Sequence, residues 1–169
     1  AILNAKNEHN SVGGTALVNV KNTPIGLGEP IYFKLDAQIA NAMMSINAVK
    51  AVEIGDGIEA CKVKGYDNND QIRLDGFKSN HSGGILGGIS NGDDINVKVH
   101  FKATPSIFIK QDTIDTNDNE VTCELKGRHD PCVAVRGSIV AESMMALVLA
   151  DMAILNMGAQ VEHLKKIYN

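Results

Sequence analysis

Residues 94–102 (DINVKVHFK) constrain the chain more than any other segment. Ile95, Val97, Val99 and Phe101 alternate with Asn96, Lys98, His100 and Lys102. Successive side chains of a strand point to opposite faces, so a period of two predicts a strand with one buried and one wet face. The strands predicted after Gly92 have no crossover helix between them, which makes the sheet mostly antiparallel. Residues 15–21 predict another strand, with Ala16, Val18 and Val20 on one face and Leu17 and Asn19 on the other. Residues 48–54 predict a third.

The helices follow from a different period. Ile31, Leu35, Ile39, Ala42, Met43 and Ile46 recur at three and four residues, which predicts an amphipathic helix opening at Glu29-Pro30, where a proline is tolerated in the first turn. Residues 138–157 predict the longest helix, with Ser138 as N-cap, Gly158 as C-cap and a stripe through Ile139, Met144 or Met145, Val148, Met152 and Leu155. Residues 22–28 and 55–57 read as turns, 58–63 as a short helix or strand, and 65–81 as a long loop. Residues 106–110 and 120–126 flank Asn117-Asp118-Asn119 as a hairpin. The fold class is α+β.

Composition narrows the function classes. A chain of 169 residues with 44% hydrophobic and 21% charged residues is ordinary for one globular domain or two small ones. No apolar run reaches about 18 residues, the length of a membrane span, so no span is expected. The net charge of −4 argues against nucleic-acid binding by bulk charge, and 4% aromatics with no Trp argue against a base-stacking surface. Cys61, Cys123 and Cys132 match no metal or redox spacing and read as reduced cysteines of a cytoplasmic protein. Residues 1–9 read as the end of a helix without an initiator Met, so the chain is expected to be a fragment of something longer.

Four clusters carry candidate chemistry. Asn47, at the end of the first long helix, is either a cap or an amide that recognises a planar ligand edge. Residues 79–88 (SNHSGGILGG) hold four glycines, which permit close backbone approach to a ligand or simply make turns. They follow neither the nucleoside-triphosphate nor the dinucleotide spacing. Lys102, Thr104 and Ser106 offer one cation and two hydroxyls, a set suited to phosphate. Residues 127–132 (GRHDPC) bring Arg128, His129 and Asp130 together, and Arg128 and Arg136 are two of the three arginines in the chain.

Together these clusters resemble the chorismate synthase family. The resemblance rests on Gly-Leu-Gly-Glu-Pro (26–30), Met-Ser-Ile-Asn-Ala-Val-Lys (44–50), Val-Glu-Ile-Gly-Asp-Gly (52–57), Ser-Asn-His-Ser-Gly-Gly-Ile-Leu-Gly-Gly-Ile-Ser (79–90) and Gly-Arg-His-Asp-Pro-Cys (127–132) in that order. It implies that residues 1–169 are the carboxy-terminal portion of such an enzyme, with a layered sandwich of sheet and helices. It also implies a cytoplasmic homotetramer and a dependence on reduced FMN. The family eliminates phosphate and a ring proton, anti-1,4, from 5-enolpyruvylshikimate 3-phosphate to give chorismate.

Carried over by motif, Asn47, Ala48, Asn80, Gly87, Lys102, Ala103, Thr104, Pro105, Ser106 and Arg128 would hold the flavin, and Asp130 would accept its proton. No metal site is implied, nor a nucleic-acid or membrane partner. Ala51, Ala103, Ile139 and Met152 depart from the family pattern without removing a polar ligand. The family's two acid–base histidines and its Gly-Arg-Ser-Ser flavin segment are absent from these residues, so the chain alone is expected to be inactive. The alternative is a non-catalytic flavin- or phosphate-binding module, or an oligomerisation module.

Overall fold

In the computed structural model, which describes residues 1–168, the period-two segment becomes the centre of the molecule. The elements run, in chain order, α1 (Ile2–Asn7), β1 (Gly14–Val20), α2 (Leu35–Met44), β2 (Val49–Ile54), a 3-10 helix (Gly57–Lys62), α3 (Gly65–Asn68), β3 (Ile72–Arg73), β4 (Gly76–Phe77), β5 (Ile85–Leu86), β6 (Ile89–Ser90), β7 (Ile95–Phe101), β8 (Gln111–Ile114), β9 (Glu120–Cys123), α4 (Ala134–Gly158) and α5 (Val161–Tyr168). β7 lies between β1 and β2, antiparallel to both, and the other strands form three small hairpins. The result is the α+β, mostly antiparallel layered architecture that the strand pattern predicts.

The alternation in β7 decides where the core lies. Ile95, Val97, Val99 and Phe101 are buried, and their neighbours are not. α2 and α4 cover that face, contributing Leu35, Ile39 and Met43 from one helix and Ala141, Met145 and Met152 from the other. Each large apolar side chain buried there contributes roughly 1.5–3 kcal/mol relative to exposure.

Both long helices differ from their predicted frames. α2 starts at Leu35, and Ile31 and Tyr32 are left 72% and 82% exposed. Residues 29–33 instead close on themselves, Glu29 N–H donating to the Phe33 carbonyl at 2.9 Å. The first helical N–H finds an outside partner, as Leu35 donates to the Gly88 carbonyl at 2.8 Å. α4 starts four residues before Ser138, whose hydroxyl bonds the Val135 carbonyl inside the helix. Its buried face runs through Ala134, Gly137, Ala141, Met145 and Met152, while Ile139 is 64% exposed. The smallest residues face the sheet because Gly137 lies against the Phe101 ring, where a Cβ would collide.

α4 also corrects the expectation about membrane spans. It has 25 residues, and an 18-residue window has a mean hydropathy of 1.8, so by length and composition it could cross a membrane. The count of uninterrupted apolar residues misses it because Glu142 and Asp151 break the run. Only 17% of that window is buried, and Val135, Ile139, Leu147 and Ile154 are each more than 60% exposed.

The 65–81 segment is not structureless. It carries α3 and the β3–β4 hairpin, and Asp70 anchors its end. The Asp70 carboxylate accepts from Ser79 Oγ (2.7 Å), His81 N–H (2.8 Å) and Ser82 N–H (2.9 Å). Burial pushes the Asp70 carboxyl up, but these donors outweigh it and hold it below its ordinary value. A carboxyl lowered on folding stabilises fully above its unfolded value, about 3.9, and that contribution disappears as the pH falls through the lower folded value. Amide exchange at His81 and Ser82 is therefore expected to accelerate below about pH 4, beyond the intrinsic rate. Asp70→Asn is expected to abolish that dependence, and an acid response unchanged in Asp70→Asn would refute the anchor. The hairpin predicted around residues 117–119 forms as β8–β9, with its first strand at Gln111–Ile114 rather than at 106–110.

Candidate functional site

The candidate residues divide according to the two ends of β7. At the Phe101 end, Lys102 N–H donates to the Ala48 carbonyl at 2.9 Å and ties residues 102–106 to residues 47–48. Ala48 has φ +72, a left-handed conformation that costs a residue with a Cβ roughly 1–2 kcal/mol. Its neighbours fix it there, because the next residue, Val49, donates to Ile46 while Ala48 itself accepts from Lys102. The exposed Asn47 stands at the rim of a groove of about 420 Å³. Phe101, Val133, Gly137, Val140 and Met144 make its walls apolar, and Arg136 adds a cation.

The same end gathers the Arg128–Asp130 cluster. Ser11 Oγ donates to the Thr104 carbonyl at 2.6 Å, and Val12 N–H donates to the Pro131 carbonyl at 2.8 Å, so residues 11–12 staple the two segments together. Ser106 and Asp130 share a small cleft of about 70 Å³ with Lys6 and His9. The His129 ring lies 5.4 Å from Phe108, which meets His9 edge-on at 6.2 Å. Thr104 Oγ1 and His129 Nε2 are buried without a partner among the described residues. A buried polar atom left unpaired is costly, so both mark strained hydrogen bonding at this end of the sheet. Arg136 Nε lies 3.3 Å from Asp130 Oδ2. Lys102, Ala103, Pro105 and Arg128 are exposed; Arg128 forms no ion pair or hydrogen bond among the described residues.

Asn80 and Gly87 lie at the other end. Asn80 Nδ2 donates to the Asp94 carbonyl and its Oδ1 accepts from Gly84 N–H, both at 2.7 Å, so its amide closes the Gly-rich turn beside the start of β7. Eight strand steps separate Asp94 from Lys102, about 26 Å at the usual rise. Gly87 is exposed with open space where a Cβ would stand, next to the start of α2, whereas Asn47 follows the helix's end about 18 Å away. Around Asn80 the groups pair with one another. His81 Nδ1 lies 2.6 Å from Asp56 Oδ2, and Lys98 and His100 lie 3.3 and 3.1 Å from Glu53. Burial raises the Glu53 carboxyl, but Lys98 and His100 bring it below its ordinary value.

Ser11 escapes a reading of motifs, because it acts through a contact 93 positions away, which no local pattern reports. Arg136 stands out in sequence beside the 127–132 cluster, but its place in the first turn of α4, where a cation asks for a carboxylate, emerges only with the helix start at Ala134.

Comparison with known proteins gives the lineage of this arrangement. The sequence model of the family described as "Chorismate synthase" matches residues 1–154. The chorismate synthase of Aliarcobacter butzleri (strain RM4018) is 80% identical over 168 residues, covering 99% of this chain and 47% of that protein. The chorismate synthase of Sulfurovum sp. (strain NBC37-1) is 66% identical over the same shares. A crystal structure of chorismate synthase superposes with a TM-score of 0.74 at 34% identity, covering 99% of this chain and 45% of the other. The chain spans about half the length of the curated relatives it matches. With the family's sequence pattern over residues 1–154 and its fold over nearly the whole chain, this chain belongs to the chorismate synthase family.

Proposed function

We propose that residues 1–169 are the carboxy-terminal portion of a chorismate synthase. The whole protein is then a cytoplasmic, homotetrameric lyase that converts 5-enolpyruvylshikimate 3-phosphate to chorismate with loss of phosphate and a ring proton. The observation that carries this reading is the convergence at the end of β7 of an apolar groove, an amide, an anion-binding set and a carboxylate.

Reduced FMN suits these residues. The groove of about 420 Å³ is mostly apolar, as a planar ring system would need, and it holds one cation, Arg136. When bound, FMN supplies an electron transiently as phosphate leaves, with no net oxidation. The chain's own residues do the rest. Lys102, Thr104 and Ser106 hold anionic oxygens, with Ala103 and Pro105 shaping the backbone between them. Asn47 presents an amide at the groove rim, and Ala48 holds the adjoining backbone by accepting from Lys102. Arg128, exposed and unpaired, meets an anionic group, and Asp130 takes up a proton at its carboxylate. Asn80 closes the Gly-rich turn and Gly87 leaves open space beside α2, so in this reading they shape the loop at the far end of β7 rather than the Lys102–Asp130 end.

The outer face of α4 supports the reading that more chain belongs here. Val135, Ile139, Leu147 and Ile154 form an apolar face with no cover, on a chain about half the length of its relatives. Full-length protein is expected to form chorismate with reduced FMN, whereas residues 1–169 alone are expected to form none and to self-associate through α4. Leu147→Asn with Ile154→Asn is expected to reduce self-association of the isolated chain and to destabilise the full-length protein by roughly 2–5 kcal/mol through loss of buried apolar groups. A full-length protein as stable with both substitutions as without them would show that the rest of the chain does not cover α4. Turnover by the isolated chain at full-length rates would refute its incompleteness. A purely binding or oligomerisation module predicts instead a full-length protein that binds FMN and makes no chorismate.

A further inference from the structure

We propose that Arg136 is the positioning residue of Asp130. This rests on the reading of Asp130 as the carboxylate that takes up a proton. Arg136 stands in the first turn of α4, which contains no acidic residue and has no side-chain hydrogen bond at its N-cap. The helix N-terminus carries partial positive charge, so a guanidinium there opposes helix stability unless a carboxylate answers it. Asp130 does so, its Oδ2 3.3 Å from Arg136 Nε. The ion pair leaves Asp130 Oδ1 without a partner among the described residues. Arg136 also lines the apolar groove opposite Asn47, where Asp130 itself does not.

One side chain therefore links the groove to the carboxylate. α4 is fixed by Gly137 against Phe101, one position after Arg136, so the guanidinium is presented from a rigid element. Arg136 sets the Asp130 rotamer and turns its free oxygen to the reacting group, as outer partners do for catalytic side chains and metal ligands. A lysine could keep the charge without the planar fork, and a methionine could keep only the bulk.

The test uses full-length protein carrying Arg136→Met, Arg136→Lys, Asp130→Asn, or Arg136→Met with Asp130→Asn. It measures kcat and KM at saturating reduced FMN, flavin affinity by fluorescence, and thermal midpoint. Arg136→Met is expected to lower kcat about 10–100-fold, the range for partners that orient a functional group. KM for the phosphorylated substrate is expected to move by less than about 3-fold, while flavin affinity is followed separately because Arg136 also lines the groove. Arg136→Lys is expected to recover part of kcat. In the Asp130→Asn background, Arg136→Met is expected to cost less than about 2-fold, because it acts through a carboxylate already gone.

An equal loss in both backgrounds would overturn the inference, since Arg136 would then act without Asp130. So would a raised KM with kcat intact, which marks direct ligand binding, or a lowered thermal midpoint with kcat intact. Full turnover in Asp130→Asn would overturn the reading of Asp130 and this inference with it. Asp130 required and Arg136 dispensable overturns this inference alone.

Discussion

In the full-length protein, Asp130→Asn is expected to lower turnover at least about 100-fold, within the 10²–10⁴ range of acid–base groups. Flavin binding is expected to persist. The substitution keeps shape and hydrogen-bonding capacity and removes the proton acceptor. The carboxylate is half-buried in the lining of the small cleft, and its one charged partner among the described residues is Arg136. If Asp130 were only the partner of that mostly exposed guanidinium, its loss would cost about 0–1 kcal/mol of stability and leave the chemistry untouched. Steady-state turnover and flavin titration of the same variant separate these outcomes. Turnover within about 3-fold of the unmodified protein would remove Asp130 from the reaction.

The second large effect is structural. Gly55→Ala is expected to destabilise the protein by about 2–5 kcal/mol, summing a left-handed conformation of about 1–2 kcal/mol and an overpacking cost of about 1–3 kcal/mol. Gly55 has φ +60, and a Cβ there would collide with the His81 carbonyl and the Gly83 N–H. Both are backbone atoms, so neither can rotate away. Gly87 supplies the control. It has φ +62 but open space around its Cβ position, so Gly87→Ala should cost only about 1–2 kcal/mol, from the conformation alone. Denaturant midpoints of the two variants measure the difference. Equal shifts would mean that the Gly-rich loop can move away from the 55–57 turn.

The sheet was legible because its signal is local. β7 needs only seven residues to declare its period and its buried face, and β1 declares the same face in the same way. The helices were legible in kind and not in frame. Ile31 has the right spacing to join α2 but lies in a bend, because the helix begins where Gly88 accepts its first N–H. α4 hides Ala134, Gly137 and Ala141 and exposes Ile139, since closeness to the Phe101 ring selects small residues over hydrophobic ones.

The candidate site divides along the same line. Its motifs supplied the residue types: a lysine with two hydroxyls, an arginine with an aspartate, an amide at a helix end, and a glycine run. Residue type is written in the chain and survives without a fold. Which of these residues meet is a matter of three-dimensional distance. β7 carries the chain about 26 Å from Asp94 to Lys102, so Asn80 and Gly87 fall at one end and Lys102 and Asp130 at the other. Contacts across long sequence separations, such as Ser11 with Thr104, then join segments that no spacing rule connects. The chain by itself determined the main strands, their buried faces and the chemistry on offer. Only the tertiary structure decided which chemistry is shared, because proximity across the sheet is set by strand register and helix packing rather than by position in sequence.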